Sequence, residues 1–276
     1  MAQKVAVVTG SNKGIGFAIV RALCKQYDGD VFLTSRDEGR GKEALKELEK
    51  EGLHPKFHQM DVNNAKSVEV LRDFLQKNYN GLDVLINNAA IAYTNDSTAP
   101  FAEQAEVTLK TNYFDTLTAC EILFPILRPH ARVVSVSSMM SSMTLTRCSD
   151  KLKTRFTDPT ITMEELSSLM KIFVQAAQDK TLEKEGFPES AYGVSKIGVT
   201  VMSLIQQKEL DKQGKEDVVV NACCPGYVDT DMSSHKGHLT IDQGAETPVY
   251  LALLPAGVTS PRGNFVEKKQ ISKWAK

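Results

Sequence analysis

The sequence has no excess of charge of one sign and no long apolar run. Its 276 residues include 33 basic and 34 acidic side chains, which gives a formal net charge of −1. Such a balance offers no electrostatic attraction for nucleic acid or for an anionic membrane surface. No apolar segment approaches the roughly 20 residues that a membrane-spanning helix needs. We therefore expect neither nucleic acid nor a membrane as a partner, and small molecules are the expected ligands.

The sequence also lacks a disulfide framework, a secretory signal and a metal-binding motif. Its five cysteines are an odd number without regular spacing, which is typical of a reducing compartment. The apolar run in MAQKVAVV is too short for a signal peptide and fits a first strand better. His235 and His238 share one polar loop but lack the further ligands that a metal needs. We expect a cytoplasmic protein without a metal.

A glycine-rich stretch stands near the start of the chain and reads VAVVTGSNKGIG from Val5 to Gly16. Apolar residues end at Thr9, and Gly10, Gly14 and Gly16 precede a helical apolar pattern. Glycine permits the sharp turn and lets a diphosphate approach the main chain, where the first N–H groups of a helix face an anion. The spacing alone also fits an ordinary Gly-rich turn. Its place directly after a strand favours nucleotide binding.

Apolar strands alternate with amphipathic helices along most of the chain. After the strand that ends at Thr9, the predicted strands cover 31–34, 56–60, 82–87, 132–136, 218–222 and 264–266. Helices are predicted from Phe17 onward and over 40–53, 67–77, 103–127, 191–210 and 245–254. This alternation predicts an α/β, doubly wound parallel sheet with helices on both faces, in one domain over 1–276.

The segment 139–191 breaks this rhythm. It begins with a Met, Ser and Thr stretch, and a capping box at Thr162 and Glu165 then opens an amphipathic helix. We expect this helix to be an insertion that packs on the domain before the helix that starts at Ala191.

The end of the second predicted strand indicates which dinucleotide would bind. An acidic residue there favours NAD, but Ser35 and Arg36 stand at this point, and Lys13 lies in the glycine loop. Two cations favour NADP because they would pair with its 2′-phosphate, although both also fit solvated surface charges. Asp61 and Val62 follow the third strand, where an adenine would lie.

Tyr192, Lys196 and Ser138 form the candidate catalytic group. Tyr192 and Lys196 are four residues apart on a predicted helix, so they share one face. A lysine ammonium can stabilise the phenolate of a tyrosine whose pKa is ordinarily near 10. Ser138 follows a parallel strand and could polarise a carbonyl oxygen while Tyr192 donates a proton and a nicotinamide supplies a hydride. This chemistry requires no metal.

The motifs TGSNKGIG, NNAA, YGVSK and CCPGY, with Ser138 between them, resemble those of the short-chain dehydrogenase/reductases over almost the whole chain. The insertion before Tyr192 is similar to that of the monomeric carbonyl reductases, including those of the 20β-hydroxysteroid dehydrogenase type. This resemblance implies a Rossmann fold with seven strands, NADPH as the cofactor, and reduction of ketones, aldehydes and quinones, among them 20-keto steroids and prostaglandins. It also implies a monomer, since the inserted helix would cover the face that other members use to oligomerise.

The resemblance assigns roles to individual positions. Asn112 would complete a catalytic tetrad with Ser138, Tyr192 and Lys196 by holding a water at a helix kink. The implied cofactor positions are Gly10, Asn12, Lys13, Gly14, Ile15, Gly16, Arg36, Asp61, Val62, Asn88, Tyr192, Lys196, Val228, Asp229 and Thr230. The implied substrate positions are Ser138, Met139, Met140, Tyr192, Cys224 and Tyr227.

Three positions leave alternatives open. Cys224 matches a cysteine that meets glutathione conjugates, but it equally fits a small buried residue at a strand end. Ala90 replaces the usual glycine after Asn-Asn-Ala, and Tyr227 replaces a tryptophan, so substrate preference does not carry over. A non-catalytic NADP(H)-sensing protein on the same fold is the alternative function, and the intact Ser138, Tyr192 and Lys196 argue against it.

Overall fold

Eight strands form one sheet in the computed structural model, which describes residues 3–94 and 96–275. They are β1 (Val5–Val8), β2 (Asp30–Ser35), β3 (Lys56–Gln59), β4 (Leu82–Asn87), β5 (Leu127–Val136), β6 (Val219–Cys224), β7 (Phe265–Glu267) and β8 (Gln270–Ile271). Their order in the sheet is β3-β2-β1-β4-β5-β6-β7-β8. All neighbouring pairs from β3 to β7 are parallel. The direction of winding reverses between β1 and β4, which makes the carboxyl end of these strands the expected ligand edge.

Eleven α-helices are present in the described part of the chain. They are α1 (Gly14–Gln26), α2 (Glu38–Lys50), α3 (Ala65–Tyr79), α4 (Phe101–Leu109), α5 (Thr116–Leu123), α6 (Met139–Thr146), α7 (Asp150–Thr157), α8 (Met163–Gln178), α9 (Leu182–Glu185), α10 (Ala191–Lys212) and α11 (Ile241–Ala252). None of these described helices is long and apolar enough to span a membrane.

Alternate residues of the central strand β1 face opposite layers of helices. Ala6 and Val8 are buried in a cluster with residues of α1, α2 and α11. Val5 and Val7 are buried in a second cluster with residues of α3 and α5. Successive side chains of a strand point to opposite faces, so a strand that is apolar at every position must be covered on both sides. The predicted doubly wound α/β architecture is confirmed.

The expected number of seven strands is wrong by one short element. β8 pairs with β7 in the antiparallel direction, with Val266 opposite Ile271 and Glu267 opposite Gln270. Lys268 and Lys269 form the turn between them with φ values of 50° and 61°. Two successive residues with positive φ match the twist of a two-residue β-hairpin turn, but Asn or Gly usually occupies these positions. Two lysines in succession gave no such signal.

The predicted long helix over 103–127 is interrupted. α4 leads into a π-helical turn, Lys110–Asp115, which is followed by α5 and by a 3-10 turn, Phe124–Ile126. The π-turn contains the buried Asn112. The break near Pro125 is confirmed, because proline lies in the 3-10 turn. β5 then starts at Leu127, five residues before the predicted start at Arg132.

The inserted segment contains four helices, where the sequence predicted one. Ser138 caps α6 and Ser149 caps α7, while the predicted capping box at Thr162 and Glu165 opens α8. α6 lacks an apolar stripe because the residues that it buries include Ser141 and Thr144. The apolar residues of α8 join those of α4 and α10 in a third cluster.

A buried arginine links β5 to the loops at the amino end of the sheet. Arg132 is 3% exposed and donates to the backbone carbonyls of Asp217, Leu254 and Pro255. Its guanidinium also bonds to the Asp217 carboxylate at 3.0 Å. Burial favours the neutral form of this carboxyl, but the bonds from Gly257, His130 and Arg132 outweigh burial and lower the pKa of Asp217 to about 2. Asp217 is therefore charged in the folded chain down to acid pH.

We expect Asp217 to contribute stability above pH 4 that disappears as the pH falls toward 2. Its pKa is depressed from 3.8 in the folded state, so acid favours the unfolded chain, by about 2 kcal/mol in total. Urea unfolding of the wild type and of Asp217→Asn between pH 2 and pH 7 measures this. The two chains should differ at pH 7 and converge at pH 2, whereas Asp73→Asn, at an exposed surface pair, should match the wild type throughout. A constant difference across this range would contradict the assignment.

Candidate active site

The glycine loop after β1 takes a shape that only glycine permits at two positions. Gly10 has a φ of +58°, and a Cβ there would lie 2.9 Å from the Cα atom of Ala89. A Cβ on Gly16 would lie 2.5 Å from Nδ2 of Asn88. No side chain caps the first turn of α1. The loop thus brings the bare main chain and the free N–H groups of α1 to one edge, as an anion site requires.

Asn88, which follows β4, holds this loop in place. Its Nδ2 donates to the carbonyl oxygens of Thr9 and Gly10, at 3.0 Å each. The hydroxyl of Thr9 in turn accepts the backbone N–H groups of Asn88 and Ala89 at 3.0 and 2.9 Å. The ends of β1 and β4 are therefore joined by four hydrogen bonds.

A cavity of about 580 Å³ opens at this edge of the sheet. The predicted cofactor positions that line it are Gly10, Asn12, Lys13, Gly14, Ile15, Gly16, Arg36, Asp61, Val62, Asn88, Asp229 and Thr230. Ala90 lines it as well. Val228 is 4% exposed and pairs with Leu239 behind the wall, and Tyr192 and Lys196 lie outside the lining. The structure thus brings together most of the residues that the sequence assigned to the cofactor.

Lys13 and Arg36 both reach the cavity, together with a third cation, Arg40. Arg40 was missed, although it follows Arg36 by four residues and lies in the first turn of α2. Nζ of Lys13 bonds to the carboxylate of Asp231 at 2.5 Å, and both side chains are exposed. Lys13 is thus held by the loop that starts at Val228, a contact between residues 218 positions apart that no local pattern could predict.

His235 belongs to the same loop and contacts two carboxylates. Its Nδ1 lies 2.8 Å from Asp229, and its Nε2 lies 3.2 Å from Asp231. The hydrogen bond to Asp229 is the main reason that the pKa of His235 is raised. The chain therefore uses this histidine to hold acidic side chains at the rim of the cavity.

Ser138 lies two residues after the end of β5 and is the N-cap of α6. Its Oγ accepts the N–H of Met140 at 3.1 Å. Because that bond uses a lone pair of the oxygen, the hydroxyl proton is free to be donated elsewhere. Ser138 is half-buried at the carboxyl edge of the sheet, where the sequence placed it.

Tyr192 and Lys196 lie on the first two turns of α10, one above the other. Nζ of Lys196 lies 5.5 Å from the centroid of the Tyr192 ring. The lysine is 3% exposed, and its Nζ donates to the carbonyl oxygen of Val136 at 2.8 Å. This bond ties α10 to the last residue of β5 and brings the pair next to Ser138.

Burial dominates the acidity of this pair. It raises the pKa of Tyr192 to about 12, against the opposing hydrogen bond with Ser138. The same burial lowers the pKa of Lys196 to about 8. The sequence led us to expect that the lysine would favour the phenolate, but the cost of burying a charge outweighs that effect here. Tyr192 is therefore protonated at neutral pH, as a proton donor must be.

Asn112 joins the cavity wall to α10. Its Oδ1 accepts the N–H of Ile91 at 2.8 Å, while its Nδ2 donates to the carbonyl of Ile91 and to Oγ of Ser195 at 2.9 and 3.0 Å. Ile91 lines the cavity. The expected helix irregularity at Asn112 is confirmed by the π-turn, whereas the water that the resemblance implies stays a prediction.

The predicted substrate residues fall into an exposed and a buried group. Met139 and Tyr227 are 41% and 44% exposed, whereas Cys224 is only 2% exposed. Sγ of Cys224 accepts the backbone N–H groups of Met139 and Gly226, at 3.2 and 3.3 Å. Burial raises the pKa of this thiol. Cys224 is thus a buried residue at the end of β6 whose sulfur bonds to the backbone of Met139 and of Gly226, while its contact with glutathione conjugates stays a prediction.

Comparison with known families gives a match over most of the chain. The family model described as short chain dehydrogenase matches residues 4–149 and 181–239. The stretch between these two parts, 150–180, contains α7 and α8 and lies within the predicted insertion.

Several curated proteins are similar to this chain over nearly its full length. Carbonyl reductase [NADPH] 1 of Rattus norvegicus is 54% identical over 271 residues, and carbonyl reductase [NADPH] 3 of the same species is 53% identical over 272 residues. Carbonyl reductase [NADPH] 1 of Homo sapiens is 52% identical. Each alignment covers 98% of this chain and 98% of the relative.

Solved structures with the same fold include two plant reductases. Salutaridine reductase from Papaver somniferum has a TM-score of 0.84 at 29% identity and aligns over 95% of this chain and 99% of its own. Menthone neomenthol reductase from Mentha piperita has a TM-score of 0.81 at 30% identity, with coverage of 97% and 99%.

We expect Arg36→Ala to raise the dissociation constant of NADPH about tenfold or more and that of NADH by less than twofold. A guanidinium bonded to a phosphate contributes more than a neutral pair, and only NADPH has a phosphate at the ribose 2′ position. Fluorescence titration with both dinucleotides measures this. Lys42→Ala is the matched control, since Lys42 is a cation of α2 that pairs with Glu38 on the surface. Equal effects on both dinucleotides would show that Arg36 is only a surface charge.

Proposed function

The chain belongs to the short-chain dehydrogenase family, and on that premise we propose that it is an NADPH-dependent carbonyl reductase. The observation that carries the proposal is the meeting of Ser138, Tyr192 and Lys196 at the carboxyl edge of the sheet. A proton donor, a second hydroxyl and a buried amine there suit the reduction of a carbonyl group to an alcohol. The three curated proteins that align over 98% of this chain are carbonyl reductases [NADPH].

The residues of the cavity fit NADPH. Gly10, Gly14 and Gly16 line the cavity, so their bare main chain borders space for a diphosphate beside the N-terminus of α1. Lys13, Arg36 and Arg40 line the same cavity and would pair with the 2′-phosphate. We assign the diphosphate to the glycine loop and the 2′-phosphate to these cations.

In the proposed reaction the chain supplies the proton and the polar contacts. NADPH, when bound, supplies a hydride to the carbonyl carbon. With a substrate bound, the hydroxyl of Ser138 would donate its hydrogen bond to the carbonyl oxygen, and Tyr192 would give its phenolic proton to that oxygen as negative charge develops. The ammonium of Lys196 lies near the ring and stabilises the phenolate that remains. The products are the alcohol, NADP⁺ and a tyrosinate that regains its proton from solvent.

The surface next to Ser138 indicates the type of substrate. Met139 and Tyr227 expose large apolar side chains, and Met143, one turn after Met139, is 52% exposed. Isolated exposed apolar residues are ordinary, but several beside a catalytic serine form a wall for an apolar substrate. We therefore propose bulky apolar ketones and quinones as substrates, with 20-keto steroids and prostaglandins among them.

Three further expectations remain proposals. We propose a monomer, because α8 packs its apolar face on α4 and α10 in one buried cluster and so occupies that surface within the chain. Light scattering of the purified protein tests it.

A cytoplasmic location is proposed from the odd number of cysteines, which form no disulfide in the described residues. For glutathione conjugates we propose contact with the exposed Met139 and Tyr227, since the sulfur of Cys224 is buried.

NADPH oxidation against menadione, a 20-keto progestin, a prostaglandin and an aromatic aldehyde tests the function, repeated with NADH. Turnover of several substrates with NADPH preferred is the expected result. The alternative function, an NADP(H)-sensing protein, predicts tight NADPH binding without turnover of any of them.

We expect Tyr192→Phe to lower kcat at least 1000-fold, roughly the upper range for loss of a general acid, while the NADPH dissociation constant changes less than twofold. Only the phenolic proton is lost, and the ring stays in place. Stopped-flow assays and fluorescence titration measure the two quantities. Tyr93→Phe is the control, because Tyr93 lies at the surface with its hydroxyl near Glu103. A substantial residual rate in Tyr192→Phe would remove Tyr192 from the mechanism.

We expect Tyr227→Ser to raise KM about fivefold for a 20-keto steroid, through lost apolar contact, and to leave KM for menadione within twofold. The large substrate would extend past Ser138 to Tyr227, whereas the small one would not. Val70→Ser removes a similarly exposed apolar residue from α3 and should change neither value. An equal rise of KM for both substrates would contradict a contact of Tyr227 with large substrates only.

A further inference from the structure

We propose that Trp274 is a positioning residue for Ser138, acting through the hydroxyl of Ser141. Its catalytic consequence rests on the proposed function, whereas the contacts themselves do not. Trp274 follows β8 and is 133 residues from Ser141 in the chain. The segment after the last strand would thus form part of the active-site support.

The contact is a buried hydrogen bond between two rigid groups. Nε1 of Trp274 donates to Oγ of Ser141 at 2.8 Å. Trp274 is 8% exposed and Ser141 is fully buried. The indole ring packs in the cluster that also contains Leu145 and Cys224. An indole N–H placed in such surroundings needs an acceptor, since leaving it unpaired costs free energy.

Ser141 links Trp274 to Ser138 by hydrogen bonds. Its Oγ donates to the carbonyl oxygen of Ser138 at 2.7 Å, and its backbone N–H donates to the same oxygen at 3.0 Å. The hydroxyl of Ser141 therefore accepts from Trp274 and donates to Ser138. Hydrogen bonds in such a chain polarise one another, and each strengthens the next.

α6 packs against α10, and two further hydrogen bonds hold the turn from Ser138 to Ser141. Ser138 caps α6 through the N–H of Met140, and the sulfur of Cys224 accepts the N–H of Met139. α6 has only eight residues, too short to be stable through its own hydrogen bonds. The orientation of Ser138 therefore depends on contacts from outside the helix. The bonds from Ser141 fix its carbonyl, and Trp274 fixes Ser141.

The test uses Trp274→Phe, Ser141→Ala and the double variant in the full chain. Trp274→Phe keeps an aromatic side chain in the cluster and removes the N–H donor together with the five-membered part of the indole ring. We expect its kcat per NADPH-binding site to fall about fivefold, the effect of one lost buried hydrogen bond, with the NADPH dissociation constant unchanged. The double variant should be no slower than Ser141→Ala, because both changes break the same chain.

Tyr79→Phe is the matched control. It also removes a hydrogen-bond donor from a buried aromatic residue, here the hydroxyl that donates to Asp30 at 2.7 Å and accepts from Lys56 at 3.0 Å. A comparable loss of stability without loss of kcat is expected there, which separates positioning from general destabilisation.

Hydrogen exchange gives a readout that does not require turnover. In Trp274→Phe, the backbone amides of Met140 and Ser141, which bond to Oγ and to the carbonyl oxygen of Ser138, should exchange about fivefold faster, while those of β1 keep the wild-type rate. An unchanged exchange rate at these amides, or an unchanged kcat per site, overturns the proposal. A wild-type chain that reduces no carbonyl contradicts the proposed function alone, and exchange at these amides then decides whether Trp274 positions Ser138.

Discussion

The hydrogen bond from Lys196 to the carbonyl oxygen of Val136 is the interaction on which the candidate site depends. A buried ammonium is costly unless it is bonded, so this acceptor fixes where the lysine can lie. Ser137 adds two bonds between the same elements, to the hydroxyl of Thr200 and to the carbonyl of Lys196. Ser138 lies just after β5 and Tyr192 lies in the first turn of α10, and they meet only because α10 is held against the end of β5.

Local patterns were sufficient to predict the parallel sheet and most of the site. β1 is apolar at every position because both of its faces are covered, and a run of that kind is visible in the sequence. Glycines at Gly10 and Gly16 reflect a backbone shape and a close approach, which are also local. The spacing of Tyr192 and Lys196 follows from the helical repeat. Such features are encoded within a few residues of one another.

Features that arise from distant contacts could not be predicted in this way. The ion pair of Lys13 with Asp231 connects two segments of the cavity lining. The sequence around either residue does not indicate the other as its partner. α6 buries the polar residues Ser141 and Thr144, so its sequence shows no apolar stripe. The pKa of Tyr192 follows from the burial of its ring, which depends on the whole fold. The spacing of residues along the chain therefore does not predict the ion pair, the polar buried face of α6 or the pKa of Tyr192.

The four hydrogen bonds that join Asn88 and Ala89 to Thr9 and Gly10 have a thermodynamic meaning for any ligand of the glycine loop. The loop has already lost its conformational entropy when the chain folds. The loop is thus preorganised for a dinucleotide, so none of the free energy of their contacts is used to order it. Differences in affinity at this edge are then expected to lie mainly in the lifetime of the complex, which is set by the contacts that break on release.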